Sequence, residues 1–297
     1  MLRPDGARTE FDAIGTRWQI DTAEPLPAEV ESAVDARIAT FDQDWSRFRP
    51  DSWVSRVARA GVGDHLLPAD AAPMLDAYDV ADRITDGAVS PLVGESLEAL
   101  GYDAAYTLRP RSGPGGLLLV APAPPWSETR RAGGVLTLTA PALIDVGAAG
   151  KGYLVDLVSG VLTAHGITEH VVDAGGDLRA TLTDEPIAVA LEDPRDTGRA
   201  LGVLRLGVGS LCGSATNRRA WGEGLHHVVD ARTGLPTDDV LATWAVGEQA
   251  LTADLAATAL FFADPDLVAA RFGIRYVVLR ADGSLRWSLA LDGEMFV

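Results

Sequence analysis

Residues 144–156 read Ile-Asp-Val-Gly-Ala-Ala-Gly-Lys-Gly-Tyr-Leu-Val-Asp, a run of small residues set between two apolar stretches. The preceding VLTLT run (135–139) predicts a strand. The apolar spacing that follows predicts a helix from Gly152 to about Ala164, with His165 in its last turn and Gly166 as a left-handed cap. A strand, a glycine bend and a helix in that order bring backbone amides close to whatever sits above the bend. Such an arrangement suits a phosphate or diphosphate, with Lys151 adding a point charge. It is not a Walker A loop, because Asp145 falls where the first glycine belongs and Gly152 replaces the Ser or Thr. A tight turn with no ligand is the alternative, and spacing alone leaves both open.

Upstream of this stretch, residues 11–22 predict a strand. Residues 28–48 predict a helix, with Val30, Val34, Ile38, Phe41 and Trp45 recurring on one face. A second helix is expected over 70–86. Residues 109–134, rich in Pro, Gly and Arg, predict an exposed hairpin and loop in which only 117–121 is strand-like. Downstream, strands are expected near 169–174, 186–191, 200–208, 225–230 and 241–247. A helical block over 251–272 is broken by Pro265, and final strands at 275–280 and 284–290 flank a tight turn at Ala281–Ser284. Helix runs interleaved with hairpin runs predict an α+β fold, with mixed, mostly antiparallel sheets and packed helices. No repeat or linker is visible. The expected organisation is a tail at 1–9, one domain of two joined lobes over 10–290, and a tail at 291–297.

The chain has 297 residues, and 25 basic against 42 acidic side chains give a formal charge of −17. Apolar residues at 47% supply a sizeable core and exclude intrinsic disorder. So acidic a balance argues against nucleic acid and against an anionic membrane surface. A phosphorylated small molecule held by backbone donors or a metal stays compatible with it. The single Cys212 excludes a disulfide framework and any multi-cysteine zinc site. No apolar run is long enough to span a bilayer, and no apolar segment follows the basic residue near the start. The expected address is the cytoplasm.

Four further clusters carry chemistry-bearing residues. Asp173, Gly175, Gly176 and Asp177 make either a hairpin corner or a nucleotide-binding bend, and they lack the dinucleotide fingerprint order. Asp254 and Thr258 are four apart, so a helix stacks them on one face. Hard oxygen donors at that spacing suit Mg²⁺, whereas an acidic residue near a helix start with a back-bonded threonine is the plain alternative. His226 and His227 adjoin on an expected strand and so face opposite ways, which leaves one of them for a site. Cys212, Gly213 and the residues to Thr216 supply small groups and amide donors, suited to wrapping a ligand or to an ordinary loop.

These clusters, in this order, resemble the ApbE family, the FAD:protein FMN transferases. Phe41–Ser55 resembles the family's F-S-R-F-x-x-x-S stretch, Ile144–Asp156 its D-L-G-G-I-A-K-G-Y-A-V-D, and Val171–Asp177 its V-N-A-G-G-D. Leu225–Pro236 resembles H-H-I-x-D-P-x-T-G-x-P, and Ala253–Leu260 resembles A-D-A-L-A-T-A-L. The likeness spans roughly residues 10–290. It implies an ApbE-like, T-fold-like α+β architecture and a transferase. The implied reaction is Mg²⁺-dependent movement of the FMN half of FAD onto a Thr or Ser hydroxyl of an acceptor flavoprotein, releasing AMP.

Carried over by residue, the resemblance makes Asp254, Thr258 and a backbone carbonyl at Ala148 metal ligands. It puts Lys151 beside the diphosphate and His227 beside the reacting phosphate, so His227, Asp254 and Lys151 are the expected catalytic set. Ser46, Ala148, Ala149, Gly150, Asp173, Gly175, Gly176, Asp177, Cys212 and Gly213 are the remaining expected FAD contacts. The chain departs from the family where Val89, Ser90 and Leu92 replace a Phe, an Asp and a Thr, where Cys212 stands in A-T-S-G, and where Asp173 replaces an Asn. Two other outcomes are compatible with this pattern: an FAD pyrophosphatase giving FMN and AMP, and an FAD-binding protein without turnover.

Overall fold

A hairpin, not one strand, occupies the first expected strand region. In the computed structural model, which describes residues 6–222 and 224–296, β1 (Ala7–Ala13) and β2 (Thr16–Thr22) pair antiparallel with Ala13 opposite Thr16. Ile14 (φ 44°) and Gly15 (φ 75°) form the link, both with the positive φ that a two-residue turn of this hand requires. Phe11 and Trp18, directly opposite in the register, stack at 6.0 Å.

Further strands are β3 (Gly63–Leu66), β4 (Arg130–Ala132), β5 (Val135–Leu138), β6 (His170–Asp173), β7 (Asp177–Thr181) and β8 (Ile187–Asp193). They continue with β9 (Asp196–Leu206), β10 (Val208–Ala215), β11 (Val229–Asp230), β12 (Leu235–Pro236) and β13 (Val240–Gly247). The last three are β14 (Arg275–Arg280), β15 (Leu285–Trp287) and β16 (Gly293–Met295). The helices are α1 (Ala28–Trp45), α2 (Trp53–Ala60), α3 (Ala71–Ile84), α4 (Gly94–Ala99), α5 (Gly150–Ala164), α6 (Ala250–Ala259) and α7 (Pro265–Phe272).

Among the described residues the main sheet runs β1-β2-β6-β7-β10-β13-β14-β15, and every pairing given is antiparallel. Side chains alternate across it, as the pleat demands. Val172, Cys212, Ala245 and Val278 join the core beneath α1, α3, α5 and α6. Their neighbours Val171, Leu211, Trp244 and Val277 face the other way, against Leu191, Leu204 and Leu206 of the β16-β9-β8 sheet. The α+β expectation therefore stands, with helices on one face and a small sheet on the other.

α1 buries Val30, Val34, Ile38, Phe41 and Trp45, the five residues its spacing singled out. α5 and α6 lie against each other so closely that a Cβ at Gly152 would stand 2.2 Å from the Ala250 carbonyl oxygen and 2.6 Å from Asp254 Cβ. α6 and α7 are separate helices, with Pro265 opening the second and Asp264 capping it through the Asp266 and Leu267 amides. Gly166 has φ 82° after α5, as the expected cap requires.

Several expectations are corrected. Two central strands, β7 and β10, are absent from the predicted set. β7 opens on a buried carboxylate, and β10 (VGSLCGSA) is built of small residues with weak strand preference; pairing on both edges makes it a strand. Residues 117–121 form no regular strand, only a single bridge from Leu118 to Ser112, and Leu117 and Leu119 are exposed. The expected strand 225–230 shrinks to Val229–Asp230, so His227 is not a strand residue. The limits 10–290 are too narrow: residues 7–9 belong to β1, and β16 pairs with β9. The remaining parts of the two expected tails at 1–5 and 297 lie outside the described residues.

Gly152→Ala is expected to destabilise the fold by about 1–3 kcal/mol through overpacking. Gly160→Ala, also within α5 and with nothing within 4 Å of the new Cβ, should stabilise by roughly 0.5–1 kcal/mol. Urea unfolding of both variants checks the contrast, and equal effects would contradict the helix contact.

Candidate functional site

A cavity of about 610 Å³ opens where the β1–β2 turn, the end of α1, the bend before α5 and the loop before β11 converge. That volume suits a dinucleotide-sized or smaller ligand. The bend is held from inside. Asp145 Oδ1 accepts from the Gly147 amide at 2.7 Å, and its Oδ2 accepts from Arg47 Nε at 2.5 Å. The Gly150 amide donates to the Val146 carbonyl at 2.7 Å, which starts α5. Ala148, Gly150 and Lys151 reach the cavity wall, whereas Ala149 is fully buried at the helix cap.

Behind this wall the Asp254 carboxylate accepts from the Gly152 amide at 2.8 Å. Burial, and then the charge of Asp177, push the Asp254 pKa well above the usual carboxylate range, against the pull of Lys151 and that amide. Lys151 makes an ion pair with Asp177, which is itself fully buried and keeps Oδ1 without a partner among the described residues. The lysine's charge is thus paired with Asp177 while its residue lines the cavity. Thr258, one turn beyond Asp254, lines the cavity.

His226 and His227 do part company, though by a turn and not a strand. His226 donates from Nε2 to the Thr237 carbonyl at 2.8 Å and accepts from the Val228 amide at Nδ1, so both ring nitrogens are satisfied. His227 lines the cavity with Nδ1 buried and unpartnered among the described residues. Burial, followed by the charge of Arg219, lowers its pKa to about 3, so the ring is neutral at ordinary pH.

The structure brings Ser46, Ala148, Gly150, Lys151, His227 and Thr258 to one cavity. It does not bring Asp173, Gly175, Gly176, Cys212 or Gly213 to that wall. Asp173 turns its carboxylate onto the Gly176 amide at 3.0 Å, closing the β6–β7 corner. Cys212 is a core residue of β10, its thiol 3.5 Å from the Ala250 carbonyl and its pKa driven well up by burial. Gly213 packs under Trp244, where a Cβ would stand 2.9 Å from the indole. The expected ligand-wrapping loop at 212–216 is therefore largely a sheet strand.

Residues missing from the sequence reading include Arg47, whose side chain is 2% exposed and whose Nη1 and Nη2 find no partner among the described residues. Trp45 Nε1 and the Tyr78 hydroxyl are likewise buried and unpaired in the wall. Orphaned donors lining a cavity point to a ligand that completes them. Phe48, Tyr102, Tyr106 and Trp221 add a connected aromatic cluster at one end, with centroids 5.0–5.7 Å apart. Arg47 was legible as part of the S-R-F stretch, but its partner Asp145 is 98 residues away.

Among the described residues, no group of three or more His, Cys, Asp or Glu side chains is arranged to hold a metal. The expected set differs in kind: one carboxylate, one hydroxyl and one carbonyl, all hard oxygen donors. With both ionised, Asp177 and Asp254 would have a single lysine between them and be one positive charge short, which is why Asp177 raises the Asp254 pKa. That deficit and those donors fit a hard divalent cation. No helix among the described residues is long and apolar enough to cross a membrane.

The fold is an antiparallel sheet backed by helices, with a cavity over a glycine-opened helix start, and this defines an α+β protein. Residues 14–274 match the ApbE family, and the chain belongs to it. A "FAD:protein FMN transferase" of Rhodobacter capsulatus is 30% identical over 95% of this chain, which spans 57% of that relative's length. One from Haemophilus influenzae is 25% identical, covering 88% of this chain and 80% of its own. The fold matches an ApbE protein of Thermotoga maritima with TM-score 0.80, at 20% identity over 96% of this chain and 97% of that one. It also matches the flavin transferase ApbE of Vibrio cholerae with TM-score 0.78, at 18% identity over 97% of each.

His227 should stay neutral at pH 5 in ¹⁵N-edited NMR spectra, and a ring titrating near 6.5 would contradict its burial. Because the unfolded chain takes up this proton near pH 6.5 and the folded chain only near 3, stability should fall as pH drops below 6.5. His227→Gln should lessen that fall.

Proposed function

We propose that this protein transfers the FMN half of FAD to the hydroxyl of a Thr or Ser on an acceptor protein, releasing AMP. The observation that carries the proposal is the shared wall: a neutral His227, the Ala148–Gly150 bend and Thr258 face one cavity, with Asp254 anchored just behind. Membership of the ApbE family supports the same reading.

In the reaction, the acceptor oxygen bonds to the FMN-side phosphorus as the bridging phosphorus–oxygen bond breaks. The electron pair leaves with AMP, so positioning and charge neutralisation supply most of the catalysis. His227 is in the free-base form and takes the hydroxyl proton. A diphosphate beside the ring raises its proton affinity at the moment that matters. The bend amides and the helix start orient the phosphates. Asp254, Thr258 and the Ala148 carbonyl would hold Mg²⁺, which supplies positive charge to the diphosphate when bound.

The cavity wall also explains one departure from the family pattern. Ser90 and Val89 line it, and Ser90 Oγ accepts from the Leu92 amide at 3.1 Å, while Leu92 is a core residue. The changed positions therefore divide between wall and core.

Purified protein, FAD, Mg²⁺ and a flavoprotein acceptor should yield AMP in step with protein-bound flavin fluorescence that survives denaturation. Asp254→Ala should lower the rate by roughly 100-fold or more. FMN and AMP without labelled protein would show water taking the hydroxyl's place, and bound FAD without AMP would show binding alone. Either result overturns the proposal.

A further inference from the structure

Four cationic side chains reach the cavity: Arg47, Arg49, Lys151 and Arg219. Three are already neutralised, Arg47 by Asp145, Arg49 by Asp42 and Asp51, and Lys151 by Asp177. Arg219 has no carboxylate at ion-pair distance among the described residues, in a chain that carries 42 acidic side chains. The Arg219 Cζ lies 6.0 Å from the centroid of Tyr102, which stacks on Trp221 at 5.4 Å.

The position is telling. Arg219 shares the wall with Lys151, His227 and Thr258. Its charge helps lower the His227 pKa, in keeping with their shared wall. The charges also balance around it. With both carboxylates ionised, as a bound divalent cation would hold them, Asp177, Asp254 and Lys151 together leave one negative charge, and the cation turns that into one positive. A diphosphate diester, with two negative charges, then leaves the site one positive charge short, and Arg219, which has no ion-pair partner among the described residues, supplies it. A planar fork of N–H donors is well matched to phosphate oxygens.

Resting on the transfer reading above, we infer that Arg219 binds the diphosphate of the dinucleotide and neutralises the charge that builds on the departing AMP phosphate. The bonds made and broken are those of the transfer step. The electron pair of the breaking phosphorus–oxygen bond goes to the AMP oxygen facing the guanidinium, and the acceptor's proton goes to His227.

The test compares wild type, Arg219→Gln and Arg219→Lys for binding of ADP, inorganic pyrophosphate and riboflavin, all in EDTA. Arg219→Gln should weaken ADP and pyrophosphate by roughly 10-fold or more while riboflavin, which has no phosphate, stays within about twofold. Arg219→Lys should recover part of the pyrophosphate affinity, and the His227 pKa should rise in Arg219→Gln. Turnover of FAD should show both a raised KM, from the lost diphosphate contact, and a lowered kcat, from the lost charge at the leaving phosphate. Unchanged ADP and pyrophosphate binding, or riboflavin falling in step with them, would overturn the inference. A wild-type protein that binds ADP through Arg219 yet releases no AMP from FAD would refute the transfer reading and leave the phosphate site standing.

Discussion

The contact between α5 and α6 at Gly152 and Asp254 governs the rest of the site. With no side chain at Gly152, its amide approaches the Asp254 carboxylate to 2.8 Å, and the helices close to a distance that a Cβ would prevent. One hydrogen bond thus performs two tasks. It satisfies an amide at the start of α5 that has no partner within the helix, and it fixes a buried carboxylate below the bend. The sequence puts a glycine where phosphate-binding loops of another class carry Ser or Thr, and the neighbouring helix explains the choice.

Electrostatics then decide what the cavity accepts. The chain is strongly acidic, yet the site gathers Arg47, Lys151 and Arg219 among buried carboxylates. Most of these charges cancel in pairs. What remains is a cluster of Asp177 and Asp254 short of positive charge when both are ionised and an arginine on the cavity wall that has no ion-pair partner among the described residues. Both are poorly satisfied in isolation and well satisfied by a cation together with a diphosphate. Net charge therefore misleads about ligand type, because a local arrangement of a few side chains outweighs the sum over the surface.

Much of the fold was legible from periodicity. The five buried residues of α1, the break at Pro265 and the cap at Gly166 follow from spacing and local backbone chemistry. β10 was not, because small residues become a strand only through neighbours on both sides. His227 was singled out and does line the cavity, but its strand setting was wrong, since β11 is confined to Val229–Asp230 and the preceding His226 bonds to the Thr237 carbonyl. Asp254 and Thr258 stood out through helical spacing, and Lys151 through its place beside the bend. Arg47 and Arg219 did not, for a different reason. Their significance lies in what they touch or fail to touch, and those relations connect residues far apart in the chain. Glycine pairs such as Gly175–Gly176 look alike in sequence whether they close a hairpin or hold a nucleotide, and here the corner carries its own hydrogen bonds.

The proposed cation site would consist of the carboxylate fixed by the Gly152 amide, the Thr258 hydroxyl and the Ala148 carbonyl. Anomalous diffraction from crystals grown with Mn²⁺ tests it most directly. The account predicts a peak in contact with all three groups, and its loss in Asp254→Asn with the α5–α6 packing preserved. A manganese ion bound elsewhere in the cavity, or a peak that persists in Asp254→Asn, would contradict it.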